Sequence, residues 1–386
     1  MRILMLCYEF PPLGGGGSRV AYGLSTELAR LGHHVDLVTM GYQGLPSHER
    51  VHGVQVYRVP CLRIRKYACT IPEAATYLVS ALPRVLHLLR QQRYDITHAH
   101  FILPDGLIAW QLQRYAQLPY VITAHGSDVP GYNPYRLKLA HKLLAPLWKT
   151  ITRNAAQIIC PSNRLQSLVA KHAPETKLTI IPYGFDLHNF QTHVKKHRRI
   201  LVVSRMLQRK GVQYLFKALE KLPLDHEIHV VGDGTYLPIL RQIAHNIGLN
   251  VIFWGWLDNE SPHLKKLYET SSIFILPSEA ENFPVSLMEA MAAGLAIITT
   301  KDTGCEEVVG DAALLVEARN PHAIRAALES LTADADLSEA LGQAARRRLA
   351  ENFSWSVVVR TYLDLYERCT DKQASEPSCQ RSLIDR

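Results

Sequence analysis

Short apolar runs alternate with longer amphipathic segments along almost the whole chain. In the first half, "RILMLCY", "HVDLVTM", "VQVYRVP", "DITHAH", "YVITAH", "AQIICPS" and "LTIIPYG" have strand length and few polar interruptions. Between several of them lie stretches with apolar residues three and four apart: Ser18–Leu31, with Ser18 as N-cap and Gly32 as stop, then Glu73–Arg90, Pro104–Gln117 and Tyr135–Arg153. A polar, cationic stretch without apolar period, "HNFQTHVKKHRR" from His188 to Arg199, predicts a linker. Beyond it the pattern restarts with "ILVVSR", "EIHVVG", "VIFWG", "SSIFILPS", "AIITT" and "ALLVE", again separated by helices. A last amphipathic stretch, Trp355 to Arg368, precedes a polar tail. Continuous apolar strands joined by helices predict α/β architecture with parallel sheets covered on both faces. Two similar doubly wound halves are therefore expected, with ligand loops beyond the carboxyl ends of their strands, facing each other across a cleft.

The length of 386 residues supports this division, since a single core rarely grows so large. No apolar run approaches the roughly 18 residues that span a bilayer. The opening segment reads as a buried first strand, Arg2 to Cys7, rather than a secretion signal, because Glu9 follows at once. Seven cysteines, odd in number and without a Cys-x-x-Cys pair, argue against a disulfide framework or structural zinc and for a reducing cytosol. Charge is unevenly shared: 20 Lys+Arg against 10 Asp+Glu up to Phe190, then 23 against 25. A basic first half and a near-neutral second half suggest different partners for each.

Chemistry concentrates after the strands. "PPLGGGGSRV" follows the first strand; Gly14 to Gly17 permit close backbone approach, and the helix start makes an anion cradle, though a plain flexible turn fits as well. It is neither G-x-G-x-x-G nor a Walker loop. "VVSRMLQRKG" puts Arg205 behind a strand and Lys210 at a helix mouth, where a planar fork and a point charge can hold a diphosphate and offset charge on a departing phosphate. The alternative is solvated surface charge, which suits Arg209 better than its neighbours. In "SEAENFPVSLMEAMAAG" the N–H groups of Asn282, Phe283 and Val285 stand at a helix start, with Pro284 where its missing donor costs little. Glu281 and Glu289 can accept from sugar hydroxyls; otherwise Glu281 favours the helix N-terminus and Glu289 lies on an exposed helix face. His125 emerges from a strand in "TAHGSD", with Gly126 leaving room for substrate and Ser127 and Asp128 as acceptor-side candidates, whereas His98 and His100 read as structural. Asp334 to Asp336, "DAD", mimics a metal motif but lies in a polar helical region, and the histidines show no ligand spacing. No metal site is expected.

With Glu281 and Glu289 in an E-x7-E pattern, "PSEAENFPVSLMEAMAAGLAIITT" is very similar to the donor-site segment of the retaining glycosyltransferases of family 4. The resemblance extends through "SRMLQRKG", "VVGDGTYLPIL", "TAHGSD" and "PYGFDLHNF", from Met1 to about Cys369. It implies the GT-B fold: an acceptor-binding Rossmann-like domain over 1–190, a nucleotide-sugar domain over 191–352, a helix over 353–370 crossing back, and a tail over 371–386. By the same resemblance Arg205 and Lys210 hold the donor diphosphate, Glu289 the ribose hydroxyls and Glu281 the donor sugar. His125 is then an active-site histidine, Gly232 and Gly234 lie near the nucleotide, and Gly15 and Gly16 face the diphosphate. Tyr183 and Cys305 depart from the family pattern, where Asn and Gly are common.

The implied activity is transfer of a hexosyl unit, with retention, from a nucleoside-diphosphate sugar to a hydroxyl of a lipid-linked, polysaccharide or small-molecule acceptor. A sugar-nucleotide epimerase, a phosphorylase carrying pyridoxal phosphate and a non-catalytic sugar-nucleotide-binding subunit share the architecture as alternatives. Neither an essential cofactor nor a nucleic-acid partner is expected. In "YRLKLAHKLLAPLWKTITR", Lys138, Lys142, Lys149 and Arg153 share one arc opposite Leu139, Leu143, Leu147 and Ile151, while Pro146 should kink or break the helix. Such a helix packs its apolar side in a core or lies on anionic lipid. The expected location is cytoplasmic, with peripheral contact at the inner membrane face as the second reading.

Overall fold

The computed structural model describes residues 1–66, 68–132, 138–192 and 194–374, with the side chains of 138–141 and 372–374 outside that description. The predicted helix start at Tyr135, the side chain of Lys138 and the tail from 375 lie outside the described residues. The chain divides into two compact units, one formed by Met1–Gly184 with the chain from Trp355 onward, the other by Phe185–Ser354.

In the first unit the strands are β1 (Arg2–Leu6), β2 (His34–Met40), β3 (His48–Val51), β4 (Val54–Val59), β5 (Ile96–His100), β6 (Tyr120–Thr123), β7 (Gln157–Cys160) and β8 (Leu178–Ile180). They form one sheet in the order β3-β4-β2-β1-β5-β6-β7-β8, parallel except for β3 against β4. The helices are α1 (Gly16–Arg30), α2 (Ile71–Gln91), α3 (Asp105–Ala116), α4 (Lys138–Asn154) and α5 (Asn163–His172). Central strands such as β5 and β6 are buried at every position, because helices cover both faces. β3 escaped the sequence pattern: "HERV" is a half-exposed edge strand with no apolar run to mark it.

The second unit holds β9 (Arg199–Val203), α6 (Val212–Leu219), β10 (Glu227–Val231), α7 (Leu237–Asn246), β11 (Val251–Gly255), α8 (Pro262–Thr270) and β12 (Ile273–Leu276). These are followed by α9 (Val285–Ala292), β13 (Ala296–Thr300), α10 (Gly304–Val309), β14 (Leu314–Val316), α11 (Pro321–Ala333) and α12 (Ala335–Phe353). Its sheet runs β11-β10-β9-β12-β13-β14 and is parallel throughout its described pairs. Each unit is thus Rossmann-like, and each sheet reverses its strand order once, between β1 and β5 and between β9 and β12. Ligands of such sheets bind beyond the carboxyl ends of the strands at that reversal.

The final helix, α13 (Trp355–Ala374), belongs to the first unit, where Val358, Val359, Tyr362, Leu365 and Tyr366 are buried with Ile3, Met5 and Ile96. At about 1.5–3 kcal/mol per buried side chain, these five contribute on the order of 10 kcal/mol as an upper bound.

Four local expectations need correction. α1 starts at Gly16 with Gly15 as its cap, so Ser18 is a buried residue of the first turn rather than the N-cap. α2 starts at Ile71 because Glu73 reaches back to accept the Thr70 N–H at 2.6 Å and the Ile64 N–H at 2.7 Å. α4 runs through Pro146 rather than ending there, with the Thr150 hydroxyl donating to the carbonyl of Pro146 at 3.0 Å. The expected linker belongs to the second unit: the Gln191 N–H donates to Glu269, the His197 N–H to Thr270, and Arg199 opens β9.

Candidate functional site

At the strand-order reversal of the second unit, the loop after β9 carries Arg205 and Lys210, and the loop after β12 carries Glu281. Lys210 and Glu281 meet there as a buried ion pair, the side chains 10% and 8% exposed. Burial pushes the Lys210 ammonium below its ordinary range, opposed by Glu281, with Arg209 and Arg205 adding to the lowering. Burial alone would raise Glu281, but the charge and hydrogen bond of Lys210, with Arg209 and Ser278, hold it below the usual carboxylate range. An opposite-charge pair so desolvated is a weak source of stability.

The two loops are locked together by backbone. Gly211 follows Lys210 at φ +75°, and a Cβ there would lie 1.9 Å from the Pro277 carbonyl oxygen. Gly232 is held as closely, since a Cβ would come 1.8 Å from the Ser204 carbonyl oxygen. Gly234 lies in the same loop, whose Asp233 carbonyl accepts from the Met206 N–H at 2.9 Å, placing it beside Arg205. Arg209 is not solvated surface charge: its carbonyl accepts from the Glu279 N–H at 2.8 Å and its guanidinium donates to the Ala280 carbonyl at 3.0 Å. Glu279 turns outward to Arg319 at 2.5 Å.

Pro284 is the N-cap of α9 rather than its first helical residue, and Val285 begins the helix. Asn282 and Phe283 are buried just before it, and the Glu281 carbonyl accepts from the Gly304 N–H at 3.1 Å. Glu289 is 5% exposed, not on an open helix face, and its Oε2 accepts from the Tyr268 hydroxyl at 2.7 Å. Arg205 is exposed.

In the first unit, β5 and β6 bring three imidazoles into a column. His98 stacks on His100 with centroids 4.4 Å apart, and His100 on His125 at 5.5 Å. The His125 ring is engaged at both nitrogens, Nε2 with His100 Nδ1 at 3.2 Å and Nδ1 with the Tyr183 hydroxyl at 2.8 Å. Burial pushes all three below the ordinary histidine range, His100 to about 3, so the column is neutral at pH 7. His98 and His100 are fully buried, as structural residues are; Tyr183, at a position that departs from the family pattern, meets His125 from the side opposite His100's nitrogen. Asp128 folds the loop under His125, accepting the His125 and Gly126 N–H groups on Oδ1 at 3.1 and 2.9 Å and that of Ile102 on Oδ2 at 2.8 Å. Burial raises it to about 6 against those three donors. Ser127 is exposed. Gly15 caps α1, where a Cβ would meet nothing within 4 Å, and Gly16 is exposed at the first helical position.

Among the described residues no group of three or more His, Cys, Asp or Glu side chains gathers as metal ligands would, and Asp334 of the "DAD" stretch caps α12 through the Leu337 N–H at 2.9 Å. No helix among the described residues is long and apolar enough to cross a membrane. On α4, Lys142 and Lys149 are exposed with Leu143 at 71%, whereas Ile151 and Trp148 are core and Arg153 pairs with Glu175 at 3.2 Å. Tyr268 and Arg209 are the contributors that the sequence pattern concealed; a tyrosine on one helix gives no sign of a carboxylate on the next.

Residues 14–189 match the family described as Glycosyltransferase Family 4, and residues 185–348 that described as Glycosyl transferases group 1. An uncharacterized glycosyltransferase of Methanocaldococcus jannaschii is 27% identical over 95% of this chain and 98% of its own. Among solved structures, sucrose-phosphate synthase of Thermosynechococcus elongatus superposes with a TM-score of 0.83 at 21% identity, covering 97% of this chain and 100% of that one. The Anabaena protein HepE in complex with UDP-glucose gives 0.72 at 17% identity, over 97% and 100%. With both Rossmann-like units matched and the fold shared, the chain belongs to family 4, group 1, of the glycosyltransferases, whose architecture is GT-B.

Proposed function

We propose that this glycosyltransferase moves a hexosyl unit, with retention, from a nucleoside-diphosphate sugar to the hydroxyl of a lipid-linked, polysaccharide or small-molecule acceptor. The observation that carries the reading is the buried Lys210–Glu281 pair beside the start of α9, with Glu289 buried eight positions on. Lys210 and Arg205 take the diphosphate, Glu281 the donor sugar, and Glu289 the ribose diol. The N–H groups of Asn282, Phe283 and Val285 meet further donor oxygens, and Gly232 and Gly234 leave the nucleotide room. Family membership and the UDP-glucose complex of HepE support a nucleotide-sugar donor. Gly15 and Gly16 belong, as the family resemblance implies, to a loop for the diphosphate.

In the reaction the bond from the anomeric carbon to the diphosphate oxygen breaks as the acceptor oxygen bonds to that carbon on the same face, and the acceptor proton passes to the departing phosphate oxygen. Lys210 and Arg205 offset the charge that grows on the diphosphate, so the proposal needs no resident cofactor or metal. Ser127 and Asp128 belong to the acceptor side. His125, neutral, contributes hydrogen bonding and shape; a sugar hydroxyl reaching either ring nitrogen replaces Tyr183 or His100 there. The exposed Lys142, Leu143 and Lys149 of α4 give a peripheral contact with anionic lipid, at the inner face of a membrane.

The test is release of nucleoside diphosphate from UDP-, GDP- and ADP-hexoses in the presence of sugar and lipid hydroxyl acceptors, with product configuration read by proton NMR. Lys210→Ala is expected to lower release by about 100-fold or more in a chain that still folds, though with a lower melting temperature because Glu281 is left buried without its partner. Unchanged turnover, or an inverted product, overturns the assignment.

A further inference from the structure

Glu289 sits in the body of α9 on a side chain with three rotatable bonds, yet its carboxylate has to present a fixed pair of oxygens if it is to hold a vicinal diol. The structure supplies a clamp. Tyr268, on α8, is fully buried, and its ring is stacked on Phe274 at 5.8 Å and meets Phe190 edge-on at 5.7 Å. A ring wedged between two others cannot swing, so its hydroxyl is a fixed point. That hydroxyl donates to Glu289 Oε2 at 2.7 Å. The direction is unambiguous, because a carboxylate only accepts. A charge-assisted bond of this length, away from water, is among the stronger ones a neutral donor can make.

We propose that Tyr268 is a positioning residue for the donor nucleotide: by holding Oε2 it selects one Glu289 rotamer and so aims the carboxylate at the ribose 2′- and 3′-hydroxyls. The proposal rests on the reading of Glu289 as the ribose carboxylate and adds the group that orients it. Tyr268 touches no substrate; it acts through Glu289. Phenylalanine at this position keeps the contacts with Phe274 and Phe190 and removes only the donor, so Tyr268→Phe isolates the hydroxyl.

The experiment is a cycle between the tyrosine hydroxyl and the ribose hydroxyls. Dissociation constants of UDP, GDP and ADP and of their 2′,3′-dideoxy counterparts are measured for the native chain, Tyr268→Phe and Glu289→Gln. The native chain is expected to prefer its ribonucleotide by about 10- to 100-fold over the dideoxy form. Tyr268→Phe should shrink that ratio by about 3- to 10-fold, with dideoxy affinity unchanged. A purely structural tyrosine would instead weaken both nucleotides equally, and that result overturns the proposal. So does a full native ratio in Tyr268→Phe alongside a collapsed ratio in Glu289→Gln. A native ratio in Glu289→Gln overturns the ribose reading itself, and the inference with it.

Discussion

Replacing Gly211 by alanine tests whether the two donor loops are one rigid piece. Two costs arise. At φ +75° an L-residue loses about 1–2 kcal/mol to its own backbone. The new Cβ also arrives 1.9 Å from the Pro277 carbonyl oxygen, so that peptide must retreat by more than about 1 Å. Overpacking of this kind costs about 1–3 kcal/mol, giving about 2–5 kcal/mol together. Gly248 provides the control, because it has φ +65° in the same unit and a Cβ there would meet nothing within 4 Å. Gly248→Ala pays the backbone cost alone.

Urea unfolding, with hydrogen exchange followed on peptides of β9 and β12, separates the second unit from the first. Gly211→Ala is expected to destabilise the β9 and β12 peptides by about 1–3 kcal/mol more than Gly248→Ala does. It should also weaken nucleoside-diphosphate binding, since the Pro277 peptide leads directly to Glu281 and Lys210 adjoins the substituted residue. Equal stabilities and equal affinities in the two variants would refute the reasoning, because the carbonyl contact would then be relieved at no cost.

Asp128 gives a pH signature. Its folded value of about 6 lies above the unfolded carboxyl near 3.9, so between those values the folded state binds more protons and stability falls as pH rises. Relative to Asp128→Asn, the native chain should therefore lose about 2 kcal/mol between pH 4 and pH 7, measured by urea midpoints; a difference that grows with pH contradicts this. Gly15→Ala should melt within about 2 °C of the native chain, since its Cβ meets no protein atom, yet lose donor turnover; unimpaired turnover removes Gly15 from the diphosphate loop. Leu143→Asp should abolish flotation with phosphatidylserine vesicles, leaving transfer to a water-soluble acceptor intact; equal flotation of both chains dismisses the membrane contact.

Strand and helix identity was legible where two-sided burial goes with apolar residues, as in β1 and β6; β5 is buried at every position too, but with Thr97, His98 and His100 among its residues. The edge strand β3 was not, since pairing on one side only leaves no compositional trace. Helix starts were misjudged where the cap is a glycine, as at Gly15, or where a glutamate inside the helix reaches back, as Glu73 does. In the site, Arg205, Lys210, Glu281 and Glu289 could be picked out because their spacing resembles a family segment. What remained hidden was pairing. Nothing in the sequence says that Lys210 rests on Glu281, that both nitrogens of His125 are engaged within its own unit, or that Tyr268 reaches Glu289 from another helix. Those are consequences of which strands and helices lie side by side, and that order follows from packing rather than from any local run of residues.

The divergence of Glu279 and Glu281 shows the same point at the scale of one loop. In a strand, residues two apart share a face, and both carboxylates would then look the same way. The segment after β12 is not a strand, because Arg209 grips it twice, taking the Glu279 N–H on its carbonyl and giving its guanidinium to the Ala280 carbonyl. With the Glu279 N–H and the Ala280 carbonyl both held by Arg209, Glu279 reaches Arg319 and the Tyr214 hydroxyl while Glu281 points inward to Lys210. Arg209, a residue that its composition marks as mere surface charge, thereby holds the stretch from which the two glutamates diverge. Loss of the guanidinium in Arg209→Ala should therefore affect donor binding more than loss of the Glu279 carboxylate in Glu279→Gln, even though the glutamate lies nearer in sequence to Glu281. Comparison of the two nucleotide affinities decides the matter, and a larger loss in Glu279→Gln would mean that the outward ion pair, not the backbone grip, aims Glu281.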